Sequence, residues 1–418
     1  MLDLKFIREN TDAVRENINS KNESGSIDLI LEFDGRRRSI IGEVEQLKNQ
    51  RNVVSDEIAK MKKAKENADA QIEAMRQVSD KIKLLDEDLR QIETEQNELL
   101  LRIPNMVHSS VPIGKGPQEN ATVRNWGTLK DKVDLNHLDI SKSLNILDFE
   151  RGAKVSGSGF AFYVGKGAAL ERALINFMIE THLSKHGYTE LMPPFIVNAA
   201  SMRGTGQLPK MKEDMYHAPE DDMYLIPTAE VPLTNYFAGD MIKFEDFPVK
   251  VCGYSPCFRR EAGSHGKDVH GFLRVHQFNK VEMVKLSTPE NSYDELESLT
   301  RDAEDILKML ELPFRTILLC SGDTSFSSAK TYDLEVWSPG EQLWLEVSSC
   351  SNFEDFQARR ANIRFKRNPQ SKPEFVHTLN GSGLATSRIM VAILENYYSG
   401  GKVIVPEVLR PYCKFDVI

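Results

Sequence analysis

Between residues 36 and 102 the chain contains no proline and a single glycine, Gly42, while charged side chains occur almost throughout. Apolar residues recur there at Ile40, Val44, Leu47, Val54, Ile58 and Met61. This alternation of four and three keeps one narrow apolar stripe on one side of a helix. Arg51 occupies the seam position that interrupts the series. A second series runs through Ile72, Met75, Val78, Ile82, Leu85, Leu89, Ile92 and Leu99, and the polar residues 64–69 between them suit a reversal. Two stripes of similar length joined by a short polar turn predict an antiparallel coiled-coil hairpin. Arms of roughly 30 residues would be about 45 Å long. Residues 1–25 read as a small helical lead-in, broken by Asn22, Glu23, Ser24, Gly25 and Ser26.

A hairpin with so narrow a stripe buries little, and the 418 residues exceed one ordinary core. The expected organisation is an N-terminal helical domain over 1–103, a proline- and glycine-bearing linker over 104–127, and a large domain over 128–418. In the last of these, helical and strand-like patterns intermix. Residues 168–183 read as a helix, and 258–261 and 342–348 alternate as half-buried antiparallel strands do. The fold class is α+β. Hydrophobic content of 40% and charged content of 28% suit a soluble globular protein. No run of about 18 apolar residues predicts a membrane span, and the start lacks a signal peptide. The five cysteines are odd in number and scattered, so neither a disulfide framework nor structural zinc is expected, and the cytoplasm is the expected compartment. The net charge of −9 opposes nucleic-acid binding by the surface as a whole. Any such contact must use a local patch. Lys60, Lys62, Lys63 and Lys65, near the hairpin tip, form one candidate, although a short lysine run also suits a plain solvated face.

Three stretches of the large domain bear on chemistry. His186 to Phe195, with Pro193 and Pro194, reads as a strand end. Cys257, Phe258, Arg259, Arg260 and Glu261 open a pair of strands joined by a glycine-containing loop, and residues 272–278 form the second strand. Arg259 can grip a phosphate or carboxylate with two parallel hydrogen bonds, but Arg-Arg-Glu also suits a salt-bridged edge. His276 reads as a hydrogen-bonded core residue. Residues 379–388 resemble a glycine turn opening an apolar helix, where backbone N–H groups favour anions. Neither a P-loop nor a dinucleotide fingerprint is present, so a nucleotide site must be of another kind.

Taken in order, residues 187–194, Phe258 to Glu261 and residues 383–388 resemble motifs 1, 2 and 3 of class II aminoacyl-tRNA synthetases. Residues 228–234, 276–284 and 346–352, with the hairpin, narrow the resemblance to the bacterial-type seryl-tRNA synthetase family along essentially the whole chain. It implies a six- to seven-stranded antiparallel sheet flanked by helices and a homodimer formed through motif 1. The implied reaction is ATP-dependent activation of L-serine and its transfer to tRNA(Ser), and also to tRNA(Sec). By the same resemblance Arg259, Glu261 and Arg388 carry catalysis. Arg259 bridges the α-phosphate and the serine carboxylate, and Arg388 reaches the γ-phosphate. Thr228, Ala229 and Glu230 meet the serine amino group, and Glu282 with Ser382 its hydroxyl. Arg260, Glu261, Val275, Phe278, Glu346, Val347, Ser348 and Ser349 contact ATP, with Glu346 and Ser349 holding Mg²⁺. The hairpin lysines face the tRNA. His270 departs from the arginine usual before the glycine of the motif 2 loop, which bears on the acceptor-end contact. Two alternatives remain at this level: a paralogue that loads a carrier protein, and a non-catalytic RNA-binding protein on the same fold.

Overall fold

The computed structural model describes residues 1–260 and 271–418. They form two compact units, one of Leu2–Asn19 with Glu23–Ile103, the other of Met1, Ser20–Asn22 and Pro104–Ile418.

The smaller unit contains the short helices α1 (Leu4–Glu9) and α2 (Thr11–Ser20) and the long α3 (Ile27–Lys63) and α4 (Asp69–Leu100), which pack against each other as a hairpin. Helix α3 begins earlier than the heptad pattern does. Its first turns are held by tertiary contacts instead: Ile27 and Ile30 are buried, and the buried Asp34 carboxylate takes Arg8 at 2.9 Å and Arg38 at 3.0 Å. Along the seam Val44, Ile82 and Ile92 are buried and the other expected positions half-buried, except Ile72. Ile72 is 40% exposed because it lies one residue off the seam, which runs from Met75 back through the half-buried Gln71 to the buried Ala68. Ion pairs Arg37–Glu93 and Glu43–Lys81 cross between the arms. Lys65 makes the reversal with a left-handed φ of 59°. Lys60, Lys62 and Lys63 fill the last turn of α3, where the helix dipole itself favours positive charge.

The larger unit is built on an eight-stranded sheet: β1 (Ala121–Trp126), β2 (Thr189–Glu190), β3 (Val249–Phe258), β4 (Gln277–Ser287), β5 (Phe314–Leu318), β6 (Lys330–Ser338), β7 (Leu343–Asn352) and β8 (His377–Ala385). The spatial order is β1-β5-β6-β7-β8-β4-β3-β2. Seven strands are antiparallel, and the two-residue β2 adds an eighth, parallel to β3. Helices α5 (Lys166–Ser184), α7 (Ser292–Met309) and α8 (Thr386–Asn396) cover one face, around Leu174, Phe177, Leu299, Ile306, Met283, Leu334, Leu379 and Ile393. Leu233, on α6 (Glu230–Asn235), packs with Val251, Val284, Ile363 and Phe365 in a second cluster. The central β4 therefore has no wet face, and eight consecutive residues, Lys280 to Ser287, are buried.

Several local expectations change. Residues 104–127 contribute the edge strand β1, which pairs with β5. Strand β3 stops at Phe258, and β4 starts only at Gln277. The glycines at 381 and 383 form no turn. Both lie within β8, where a Cβ would meet Leu299 Cδ2 at 2.3 Å and His182 Nε2 at 2.4 Å. They are small because the helices press against them, and the helix opens only at Thr386. Among the described residues no helix is long and apolar enough to cross a membrane.

Candidate active site

Thr228 and Ala229 lead directly into α6, and the Thr228 hydroxyl accepts the Glu230 N–H at 3.1 Å. Facing them, β4 supplies the fully buried Glu282. Its carboxylate is gripped by Asn380 Nδ2 of β8 at 3.0 Å, by the Thr228 hydroxyl at 3.3 Å, and by an ion pair with Lys280 Nζ. Lys280 Nζ also donates to Thr228 Oγ1 at 2.8 Å. A buried carboxylate without such partners costs several kcal/mol. Ser382 stands opposite Glu282 in the ladder, and a register shift in this pairing lies between Lys280 and Glu282. Glu230 is the second buried acid, and its hydrogen-bond partner is a neutral amide, Gln357 Nε2, at 2.6 Å. Burial, reinforced by the Glu282 charge, pushes the Glu230 carboxyl up to about 7, against the opposing pull of Gln357, Lys280 and Arg259. Such a group is suited to receive a cation.

Arg259 follows the last residue of β3. Its guanidinium lies 5.2 Å from the centre of the Phe278 ring, and its Nε donates to Pro227 O at 3.4 Å. The backbone beneath it is fixed: the Arg259 N–H donates to His276 O, and its own carbonyl lies 2.9 Å from His276 Nδ1. His276 in turn stacks on Phe160 and meets the Tyr216 hydroxyl, so its ring holds Arg259 in place. Arg388, in the first turn of α8, donates to Glu346 O at 2.6 Å and Leu273 O at 3.3 Å. Ser348 Oγ donates to Ser382 O at 2.6 Å, which ties β7 to the serine-side strand. The Val275 and Val347 side chains are buried, leaving only main chain to offer a ligand, and Arg260 is exposed.

Glu346 and Ser349 are three apart, which in a regular strand would send them to opposite faces. They share a face because the register between β6 and β7 shifts by one at Val347: Ser349 pairs with Asp333, Ser348 with Leu334, and Glu346 with Glu335. The result is a carboxylate and a hydroxyl on one side of the hairpin, the hard oxygen donors Mg²⁺ prefers. Asp333 and Glu335 stand on that side too.

A different cluster, His137, Glu341 and Glu395, brings ligand atoms within 4.8 Å of one another. Both ring nitrogens of His137 are engaged, Nδ1 with Glu395 at 3.2 Å and Nε2 as acceptor of the Phe272 N–H at 3.4 Å. Glu395 further accepts from Gly340 N–H and the Ser338 hydroxyl. This group anchors the start of the segment that leads into β4.

The serine-side residues expected from sequence, Thr228, Ala229, Glu230, Glu282 and Ser382, thus come together, as do Arg388, Glu346, Ser348 and Ser349. Lys60, Lys62, Lys63 and Lys65 are exposed and belong to the smaller unit. Glu261 and His270 lie outside the described residues. Sequence reasoning missed Lys280, Asn380, Gln357 and Asp333. Lys280 had a signal, since it stands two residues before Glu282 and so shares its face of the strand.

Residues 1–107 match the seryl-tRNA synthetase N-terminal domain, and residues 213–397 the tRNA synthetase class II core domain (G, H, P, S and T). The serine–tRNA ligase of Heliobacterium modesticaldum is 58% identical over 421 residues, and that of Chloroherpeton thalassium 56% over 426, each alignment covering 100% of both chains. The crystal structure of seryl-tRNA synthetase from Pyrococcus horikoshii complexed with ATP superposes with a TM-score of 0.93 at 38% identity, covering 100% of this chain and 99% of that one. The cytoplasmic serine–tRNA ligase of Naegleria fowleri in complex with AMP gives 0.88 at 30%, covering 100% and 98%.

Proposed function

Because the chain belongs to the seryl-tRNA synthetases, within the class II aminoacyl-tRNA synthetases, we propose that it activates L-serine with ATP and esterifies it to tRNA(Ser), and to tRNA(Sec) as well. The observation that carries the substrate assignment is Glu282. A fully buried carboxylate, oriented by Asn380, Thr228 and Lys280, is built to accept a hydrogen bond from a small hydroxyl. Serine supplies that hydroxyl, and alanine would leave the acid unsatisfied. Glu230, with Thr228 and the main chain at Ala229, takes the ammonium group, and Ser382 completes the hydroxyl side.

The serine carboxylate is already ionised at neutral pH, so its attack on the α-phosphorus needs no general base. The protein's task is positioning and charge neutralisation. Arg259 holds the α-phosphate and serine carboxylate together, Phe278 faces adenine with Glu261 and the main chain near Val275, and Arg388 meets the γ-phosphate. Arg260, Val347 and Ser348 line the nucleotide. Glu346 and Ser349 would hold Mg²⁺, which neutralises phosphate charge when bound. The lysines 60, 62, 63 and 65 follow the tRNA backbone. On this reading 1–103 is the tRNA-binding domain, 104–127 the connection and 128–418 the catalytic domain of a cytoplasmic homodimer. Met192, 85% exposed, and Ile196, 49% exposed, lie just after β2 and support dimerisation through that segment.

The test is serine-dependent exchange of pyrophosphate into ATP. Glu282→Ala should abolish exchange with serine while ATP affinity, read by equilibrium binding, stays within a few-fold. Wild-type exchange kinetics in that variant would remove the assignment.

A further inference from the structure

Asp333 belongs neither to the serine side of the site nor to the groups that meet the nucleotide. It sits on β6 directly opposite Ser349, two residues before Glu335, which opposes Glu346. The shift at Val347 therefore collects Asp333, Ser349 and Glu346 on one face. Asp333 is only 9% exposed, and among the described residues its Oδ1 is a buried oxygen with no hydrogen-bond partner. Leaving such an oxygen unsatisfied costs on the order of 1–3 kcal/mol, and no donor from the facing strand meets it. Nothing in the packing requires an acid there. Leu334 and Val336 on the same strand carry the core contacts from the opposite side. A buried carboxylate oxygen without a partner, facing a hydroxyl and a second carboxylate, calls for a missing donor or cation.

We propose that Asp333 is a positioning residue of the Mg²⁺ site. It orients the Ser349 hydroxyl toward the ion, and its unpartnered Oδ1 accepts a hydrogen bond from a water in the coordination shell of the ion. The proposal rests on the reading of Glu346 and Ser349 as ligands. Mg²⁺ retains several of its waters, and those waters need acceptors fixed by the protein. Acceptors of this kind commonly change metal affinity by about 10- to 100-fold when removed.

The experiment uses the full-length chain with ATP and no serine, so that no adenylate forms. ATP binding is titrated with Mg²⁺ by calorimetry, and thermal melts are run with and without Mg²⁺ and ATP. Asp333→Asn keeps shape and a carbonyl acceptor but removes the charge. The Mg²⁺ concentration that half-saturates ATP binding should rise about 10-fold or more. The melting temperature without ligands should stay level or rise, since no packing or hydrogen-bond partner of Oδ1 is lost, while the increment given by Mg²⁺ with ATP shrinks. A purely structural Asp333 predicts the reverse pattern: a lower melting temperature and an unchanged Mg²⁺ half-saturation, and that result would overturn the proposal. Glu346→Gln and Ser349→Ala are run alongside. If they shift the Mg²⁺ requirement and Asp333→Asn does not, only the role of Asp333 falls. If none of the three shifts it, the cation site itself has been misassigned and the proposal falls with it. Should Asp333→Asn not fold, Asp333→Ser, smaller and also neutral, is measured in its place with the same two readouts and the same deciding outcomes.

Discussion

At the scale of single residues, the clearest consequence comes from Glu230. Its carboxyl is held up at about 7 by burial first and by Glu282 second, against an ordinary value of 4.5. Between those two values the folded protein binds more protons than the unfolded chain, so stability falls as pH rises through this window. Glu230→Gln should therefore melt higher than the wild type at pH 8, and the difference should close toward pH 5. Function runs the other way, because only the ionised acid can pair with the serine ammonium. The kcat/KM for serine in exchange should climb with pH through about 7 in the wild type and lose that step in Glu230→Gln. Measuring both on the same preparations checks the assignment, and a Gln variant that keeps the pH step would contradict it. Glu230, Glu282, Glu346, Arg259 and Arg388 could be singled out in the sequence because their motifs stand in order along the chain. Gln357, Asn380 and Asp333 could not, because nothing in a sequence says which polar residue of a distant strand will face a given carboxylate. Plain alternation would even have separated Glu346 from Ser349, which only the register shift at Val347 brings to one side.

At the scale of elements, the hairpin and the motif 3 strand teach opposite lessons. The hairpin was readable from its own heptads, since its two arms pack mainly on each other and the reversal falls where the polar residues do. The onset of α3 was not, because Asp34 with Arg8 and Arg38 holds it there rather than a local pattern. Gly381 and Gly383 suggest a turn in the sequence, yet they lie in strand β8, and their smallness serves close packing by Leu299 and His182. The separate compactness of the hairpin unit leads to a prediction. Removing residues 36–101 and closing the gap with a short linker should leave serine-dependent exchange within a few-fold of wild type while tRNA charging falls by orders of magnitude. Equal losses in both assays would mean that the hairpin sustains the fold instead of selecting the tRNA.

At the scale of the whole molecule, the net charge of −9 means that tRNA must be held by local positive surface against an unfavourable overall field. Binding of tRNA should weaken steeply with salt, and serine-dependent exchange should be nearly flat. Changing Lys60, Lys62, Lys63 and Lys65 together to Gln should flatten the logarithmic salt slope by up to about 0.9 for each phosphate no longer neutralised. An unaltered slope in filter binding would assign those lysines to the solvated face of the helix end. The order of the sheet carries a further consequence, one of timing. The strand that carries Asn380 and Ser382, β8, lies between β7 and β4, so the middle of the sheet stays open until Ala385 has left the ribosome. The helical hairpin closes through neighbours in sequence and needs nothing that comes later. During synthesis the hairpin is thus free to form while the large sheet is still an unpaired edge, and exposed edges of that kind are what molecular chaperones guard.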